Sequence, residues 1–248
     1  MVQNTQFLMK KTVYLFSILL ISIQLTVSAQ NLNTPSYGQT DQYVTDFFRQ
    51  VRSKDTRKVS LGSIKGSPYF EEEFIQGTIY YKDEPQDQTV FLRHNAYADE
   101  IEMTANQYQY QTDQAVVKST DLSCTIGNDR YVYLPYVDKT SGIVKMGYLI
   151  ELYKNNEHTV FLNKSKVYME ATQARTGLER SFPPRFVDDY TYYYNTNGDT
   201  PIELKLYKSK LREIFSNKER FNSFTKRNSR SKENTSQWLI DLFEYMHQ

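Results

Sequence analysis

Histidines and carboxylates are the residues of this sequence whose chemistry would suit a catalytic or metal site. The chain has three histidines in 248 residues and contains neither a G-x-S-x-G nor an H-E-x-x-H motif. His94 precedes an acidic stretch at positions 99–102 and is the strongest acid–base or metal-ligand candidate. Strand alternation separates Glu100 and Glu102 from Ile101 and directs both toward solvent. We therefore interpret His94 as a surface histidine at the end of a strand.

The remaining candidates give weaker indications. His158 lies in a polar turn, and His247 is the penultimate residue of the sequence. Neighbouring acids such as Asp188 and Asp189 point to opposite sides of a strand and need not converge. The single cysteine, Cys124, cannot form an intramolecular disulfide, and its apolar neighbours on one strand face predict a buried thiol. The sequence thus predicts no catalytic, cofactor-binding or metal-binding residue, and no cofactor.

The first 29 residues have the pattern of a secretory signal peptide. Lys10 and Lys11 precede an uncharged stretch at 12–27, and Val27-Ser28-Ala29 forms a small-residue cleavage site. Either Met1 or Met9 fits as the start of this signal. The apolar stretch is shorter than the 20 or so residues of a membrane span, and none follows it. We expect an exported protein, periplasmic or at the cell surface, without a transmembrane segment after cleavage.

A strongly basic segment lies near the C terminus. Residues 205–232 contain ten basic and two acidic side chains, whereas the whole chain has a net charge of +1. One interpretation is a solvated helix face. The other is a contact surface for an anionic envelope component, such as lipid headgroups, lipopolysaccharide phosphates or acidic glycans, or for an acidic protein surface. Nucleic acid is not expected in that compartment. The residues predicted for the surface are Lys208, Lys210, Arg212, Lys218, Arg220, Lys226 and Arg227.

Tyrosines form a further candidate surface. Tyr190, Tyr192 and Tyr194 share one face of a predicted strand, and Tyr193 lies on the other face. Exposed tyrosines stack on sugars or contact proteins, because their rings are large, stiff and amphipathic. Packing between neighbouring strands is the alternative, and we favour it.

Apolar periodicity predicts a mainly β (α+β) protein. Residues 30–56 form a polar lead with a short helix at 41–53, residues 57–207 an antiparallel β domain, and residues 208–248 a helical segment packed on it. Short polar turns predict hairpins that pair 116–126 with 130–137, 142–153 with 159–169, and 188–195 with 201–207. No helix-sized crossover separates them, so we expect an antiparallel meander that forms an open barrel or sandwich-like sheet.

A short motif pattern runs through the first part of this β domain. It consists of Gly66-Ser67-Pro68-Tyr69-Phe70, Leu92-Arg93-His94-Asn95-Ala96-Tyr97 and Glu100-Ile101-Glu102. The pattern resembles that of a family of uncharacterised exported proteins of the Bacteroidetes, which has tyrosine at the position of His94. The resemblance spans most of residues 64–246 and implies compartment and architecture, with no known activity.

These observations lead to three alternative functions. The first is a non-catalytic binding or envelope-interaction protein. The second is an extracytoplasmic hydrolase of glycan or peptide, with its site near the connection at 171–185, which breaks the strand rhythm with Pro183-Pro184. The third is a structural subunit of an envelope complex. The basic segment favours the first function.

Overall fold

Antiparallel strands are the main secondary structure of the protein, as shown by a computed structural model that describes residues 51–53, 64–174 and 180–248. All of these residues belong to one unit, Phe47–Gln248. The described strands are β1 (Val51–Ser53), β2 (Ile75–Tyr81), β3 (Glu84–Pro85), β4 (Val90–Asn95), β5 (Glu100–Thr104), β6 (Gln114–Val116), β7 (Leu122–Ile126), β8 (Asp129–Val137), β9 (Val144–Lys154), β10 (His158–Met169), β11 (Arg185–Thr196) and β12 (Ile202–Glu203). The described helices are α1 (Lys208–Ile214), α2 (Lys218–Arg227) and α3 (Thr235–His247).

The strands join one antiparallel sheet in the order β1-β6-β5-β4-β2-β7-β8-β9-β10-β11-β12, with β3 paired to β2. From β7 to β12 each strand pairs with the next one along the chain, which confirms the predicted meander. The β7–β8 turn contains Gly127 at φ 59°, and the β11–β12 turn contains Asn197 at 54° and Gly198 at 79°. These left-handed backbone conformations suit the residues that the sequence places there, since glycine and asparagine adopt them most readily.

The sheet curls so that strands far apart in its order come together. Asp99 lies in the β4–β5 turn, and its two carboxylate oxygens accept a hydrogen bond from the Tyr148 amide on β9, each at 3.3 Å. The Ala96 carbonyl in the same turn accepts from the Lys166 amide on β10 at 3.1 Å. Four strands separate β5 from β9 in the sheet. The sheet therefore bends into an open barrel, as predicted.

The concave face of this curl holds the main core. Its buried side chains come from eight strands and include Ile79, Leu92, Ile101, Met103, Val116, Cys124, Tyr131, Ile150 and Leu162. A smaller cluster on the opposite face of β9, β10 and β11 consists of Leu149, Phe161 and Tyr193. The central strands are therefore buried on both faces. Their sequences alternate only weakly between apolar and polar residues, because regular alternation is typical of strands that have one face in solvent.

The helical segment packs on the sheet through a third apolar cluster. Its buried members are Val160 and Leu204 from the sheet region and Leu211, Phe215, Phe221, Phe224, Trp238, Leu239, Leu242 and Phe243 from the helical region. Leu152 and Tyr192 contact this cluster and the main core alike. The helices therefore pack on the sheet and continue the concave core. No helix in the described part of the chain is long and apolar enough to cross a membrane.

Three local predictions are wrong. The helix predicted over 41–53 does not extend through its last three residues, because Val51–Ser53 form β1, which pairs with Gln114–Val116; residues 41–50 lie outside the described part of the chain. Three residues are too few for periodicity to distinguish strand from helix, and a partner strand decides. The strand predicted at 201–207 shrinks to Ile202–Glu203, and the predicted buried face fails at Ile202, which is 46 % exposed.

Candidate functional site

A cleft of about 370 Å³ lies between β11 and the chain that follows β12. Cationic side chains reach it from three places: Lys139 from the β8–β9 turn, Lys205 from just after β12, and Arg230 from the α2–α3 connection. Tyr190 and Tyr207 add exposed aromatic rings, with 44 % and 73 % of their surface accessible. The cleft is therefore lined by cations and by aromatic faces.

Two of these cations have anionic neighbours. The Lys139 ammonium lies 2.8 Å from both carboxylate oxygens of Asp189 and donates to the Thr191 hydroxyl at 2.7 Å. Lys205 pairs with Glu203, which also lines the cleft. Arg230 is exposed, and its guanidinium carbon lies 5.8 Å from the centre of the Trp238 ring. The pairs orient both lysines, and Arg230 offers donors to a ligand.

The tyrosines divide between the cleft and the core. Tyr193 is buried beside Tyr136, with ring centroids 4.9 Å apart, and Tyr194 packs on the helical cluster. The Tyr190 ring packs on that of Phe70, with centroids 5.3 Å apart, and Tyr190 also lines the cleft. Burial, and secondarily the charge of Asp188, raise the pKa of Tyr190, so its hydroxyl keeps its proton as a donor. Packing thus accounts for Tyr193 and Tyr194, whereas Tyr190 is placed to contact a ligand in the cleft.

The seven basic residues predicted as an anionic surface have different surroundings. The Lys218 ammonium caps α1 by donating to carbonyls at its end, with 2.6 Å to that of Arg212. Arg220 donates to the Tyr245 carbonyl at 2.9 Å and lies over its ring at 4.6 Å. Lys210 pairs with Glu213 at 3.0 Å. Within the described residues no ion pair joins the remaining four to a carboxylate, and all are exposed: Lys208, Arg212, Lys226 and Arg227.

A buried polar network lies on the face of β4 and β5 that is opposite the concave core. The Arg93 guanidinium donates to Glu102 Oε2 from Nη2 at 2.6 Å and from Nε at 3.2 Å. Asn95 and the Tyr69 hydroxyl donate to Glu102 Oε1 at 3.1 and 3.0 Å. Arg93 also lies over the rings of Tyr69 and Phe74, at 3.9 and 4.2 Å. The prediction that Glu102 faces solvent is therefore wrong, since none of its surface is exposed.

The same packing corrects the interpretation of His94. Its side chain is 4 % exposed, and its ring packs on Tyr131 at 5.1 Å. The nearest carboxylate oxygen is that of Asp99, 3.7 Å from Nε2, whereas Glu102 lies on the opposite face of the sheet. His94 on β4 and Glu102 on β5 lie on opposite faces of the sheet, and each is buried on its own face. The acidic stretch does not converge on His94 as a catalytic group would.

The two neighbouring aspartates of β11 and the described ends of the connection at 171–185 also make structural contacts. Asp188 and Asp189 each bind a separate lysine, Lys166 at 2.7 Å and Lys139 at 2.8 Å. The connection at 171–185 extends the β10–β11 hairpin, because Thr172 and Phe182 exchange two backbone hydrogen bonds at 2.9 and 2.8 Å. Residues 175–179 lie outside the described part. The described ends of this loop bring no acid–base pair together.

Two histidines that the sequence places far apart lie side by side. The rings of His158 and His247 have centroids 4.9 Å apart. Burial lowers the pKa of His158, and the neighbouring charge of Glu157 opposes this with a smaller effect. The His158 ring is therefore neutral at neutral pH. Sequence reasoning missed this pair because 88 intervening residues separate the two histidines, and local pattern carries no signal for such a contact.

We expect Cys124 to react with a thiol reagent only after unfolding. The residue is buried, and burial raises the pKa of its thiol to about 12, so almost no thiolate forms at pH 8. Colorimetric thiol titration should detect no labelling of the native protein over minutes and one thiol per chain in guanidinium chloride. Equal labelling rates in the two states would show that Cys124 is accessible, against the structure.

Comparison of the chain with protein-family models, curated proteins and solved structures finds no match.

Proposed function

We propose that this chain is an exported, non-catalytic binding protein of the cell envelope that holds an acidic glycan in the cleft beside β11. The observation that carries the proposal is the convergence of Lys205 and Arg230 with Lys139. Two of these cations belong to the basic segment and lie 25 positions apart in sequence, yet both line one cleft. This arrangement supports a specific contact in addition to a solvated charged face.

The chemistry of the cleft suits a sugar that carries carboxylate or phosphate groups. Arg230 presents a planar fork of donors that matches such anions. The exposed rings of Tyr190 and Tyr207 offer apolar faces on which a pyranose ring can stack. The hydrogen-bonded pairs Lys139–Asp189 and Lys205–Glu203 give fixed donors and acceptors for hydroxyl groups. A volume of about 370 Å³ falls in the range of small-ligand sites and accommodates one or two sugar units.

Export supports the proposed ligand. The N-terminal pattern of a signal peptide directs the protein to a compartment where acidic glycans and phosphorylated sugars are exposed. Longer-range attraction, which brings an anionic polymer to the surface before it enters the cleft, would come from four exposed cations of the predicted surface that no ion pair in the described residues joins to a carboxylate: Lys208, Arg212, Lys226 and Arg227.

The test is the affinity for a charged and a neutral tetrasaccharide, measured by calorimetry. We expect oligogalacturonate to bind and oligogalactose to bind at least tenfold more weakly. The double variant Lys205→Ala, Arg230→Ala should bind oligogalacturonate at least tenfold more weakly than the native chain, because each lost charged hydrogen bond is worth about 1.5–3 kcal/mol. Raising the salt concentration should weaken the native interaction further.

The matched control is the double variant Lys226→Ala, Lys232→Ala, which removes the same charge from exposed positions outside the cleft. It should lose less than half of the affinity. Equal losses of affinity in the two variants would show that binding depends on the overall positive charge and would contradict the cleft as the binding site. Cleavage of the tetrasaccharide during the titration, detected by mass spectrometry, would favour the hydrolase instead.

A further inference from the structure

Three potential metal ligands come together where the β9–β10 turn meets the C-terminal end of α3. Glu157 and His158 lie at the end of this turn and the start of β10, and His247 is the last residue of α3. One ligand atom from each lies within 4.8 Å of the other two. The Nε2 atom of His158 is 3.7 Å from Glu157 Oε1. These residues do not line the cleft, so the cluster is independent of the proposed glycan site.

Hydrogen bonds orient both imidazole rings. His247 Nδ1 lies 2.7 Å from the Phe243 carbonyl oxygen. A carbonyl oxygen only accepts, so Nδ1 carries the proton and Nε2 carries the lone pair. His158 Nδ1 lies 3.3 Å from the Thr196 hydroxyl, and its Nε2 lies on the side of Glu157. Histidines that bind metals commonly hold their second ring nitrogen in a hydrogen bond to a protein oxygen, which fixes the ring orientation.

The protein also fixes the backbone that carries the two turn ligands. Asn155 Oδ1 accepts from the amides of Glu157 and His158 at 2.9 and 2.6 Å. The Glu157 carbonyl accepts from the Asn197 amide of the β11–β12 turn at 2.7 Å. His158 itself is buried. The turn therefore holds its ligands before any ion arrives, which lowers the entropic cost of binding.

Aromatic packing holds the third ligand in place. The His247 ring lies near those of Tyr153, Phe215 and Phe243, with centroids 6.0, 6.1 and 6.1 Å away. Phe243 is fully buried in the helical cluster. These contacts hold the His247 ring against the helical cluster. They position an imidazole at the surface with one apolar side and one side open to solvent.

We propose that Glu157, His158 and His247 bind a divalent transition-metal ion such as Zn²⁺. Two imidazoles and a carboxylate suit zinc and its neighbours, whereas Ca²⁺ and Mg²⁺ prefer oxygen ligands. Bond lengths of about 2.0–2.2 Å place tetrahedral ligand atoms about 3.3 Å apart. Binding an ion requires the three ligand atoms, which lie within 4.8 Å of one another, to close to that spacing, and the Glu157 side chain, which is 61 % accessible, has room to move. The fourth position faces solvent.

Such an ion would tie α3 to the sheet. Because the three ligands come from the turn and from the end of the helix, they separate when the helix undocks. An ion that binds the folded state alone stabilises it in proportion to the logarithm of its concentration. Zinc binding is therefore expected to appear as thermal stabilisation as well as in direct titration.

The test uses the purified chain treated with EDTA and then dialysed free of chelator. Titration with Zn²⁺ in a calorimeter should give one site per chain, and Mg²⁺ should give none. His247→Gln removes an exposed ligand and should weaken zinc binding at least tenfold. The melting temperature of the native chain should rise on addition of zinc and that of the variant should not, each compared with its own value without metal.

Glu244→Gln is the matched control, since Glu244 is an exposed acid one turn from His247 on the same helix. It should bind zinc like the native chain. A second variant, Glu157→Gln, tests the turn side of the site and should also weaken zinc binding, with an unchanged metal-free melting temperature. Absence of zinc binding by the native chain, or equal affinity in the His247→Gln variant, would overturn the proposal.

Discussion

Replacing Glu102 by glutamine is expected to lower the free energy of unfolding by about 3–5 kcal/mol, the cost of breaking a buried ion pair from one side. Arg93 and Glu102 are 3 % and 0 % exposed, and the guanidinium binds the carboxylate through two nitrogens. The variant leaves Arg93 charged and buried without its anion. Urea unfolding followed by circular dichroism, which reports the strands, measures the loss directly.

Two comparisons separate charge pairing from general damage. Replacing both partners by apolar residues, Arg93→Met with Glu102→Leu, should recover part of the stability, because no buried charge remains unpaired. Asp83→Asn breaks an exposed ion pair with Arg130, in which the Asp83 side chain is 84 % accessible. This substitution should lower the free energy of unfolding by about 0–1 kcal/mol. A Glu102→Gln loss as small as that of Asp83→Asn would contradict the buried network.

Phe243→Ala is expected to destabilise the protein by about 3–5 kcal/mol, the usual cost of removing a buried phenylalanine ring. Phe243 is fully buried and contacts Phe215 and Tyr153, with ring centroids 5.0 and 5.6 Å apart. Its loss leaves a cavity between α3, α1 and the sheet. Trp238 is the single tryptophan of the chain and is buried in the same cluster, so its fluorescence reports the docking of the helices.

Glu244→Ala is the control for this prediction, because the neighbouring side chain is exposed and the substitution leaves the cluster intact. It should change the free energy of unfolding by less than about 0.5 kcal/mol. Agreement between Trp238 fluorescence and circular dichroism would show that helices and sheet unfold together. A loss below about 1 kcal/mol for Phe243→Ala would show that the helical segment contributes little to the fold.

Hairpins and helices could be predicted from the sequence because their signals are local. Gly127 and the Asn197-Gly198 pair mark turns whose backbone conformations favour those residues, and they separate strands of alternating pattern. The break between the first two described helices lies near Asn217. There the Asn217 side chain accepts from the Arg220 amide at 2.9 Å and caps α2. Such features depend on residues within a few positions of one another.

The environments of the polar side chains could not be predicted from the same patterns. Alternation along β5 correctly separates Glu102 from Ile101, but it does not say which faces of the sheet the fold covers. The pairing of β4 with β5 then places His94 on the face opposite Glu102. The segment around Tyr69 and Phe74 covers one of them and the concave core covers the other. Both side chains were therefore expected at the surface and both are buried.

The β meander, its main turns and the helical end follow from spacing and turn chemistry over short stretches, so the sequence predicts them. The two candidate sites depend instead on tertiary packing. The curl and the docking of the helices bring Lys139, Lys205 and Arg230 to one cleft, and His158 and His247 to one corner. Side chains that are distant in sequence come together only when strands and helices pack in three dimensions, and local periodicity does not predict that packing.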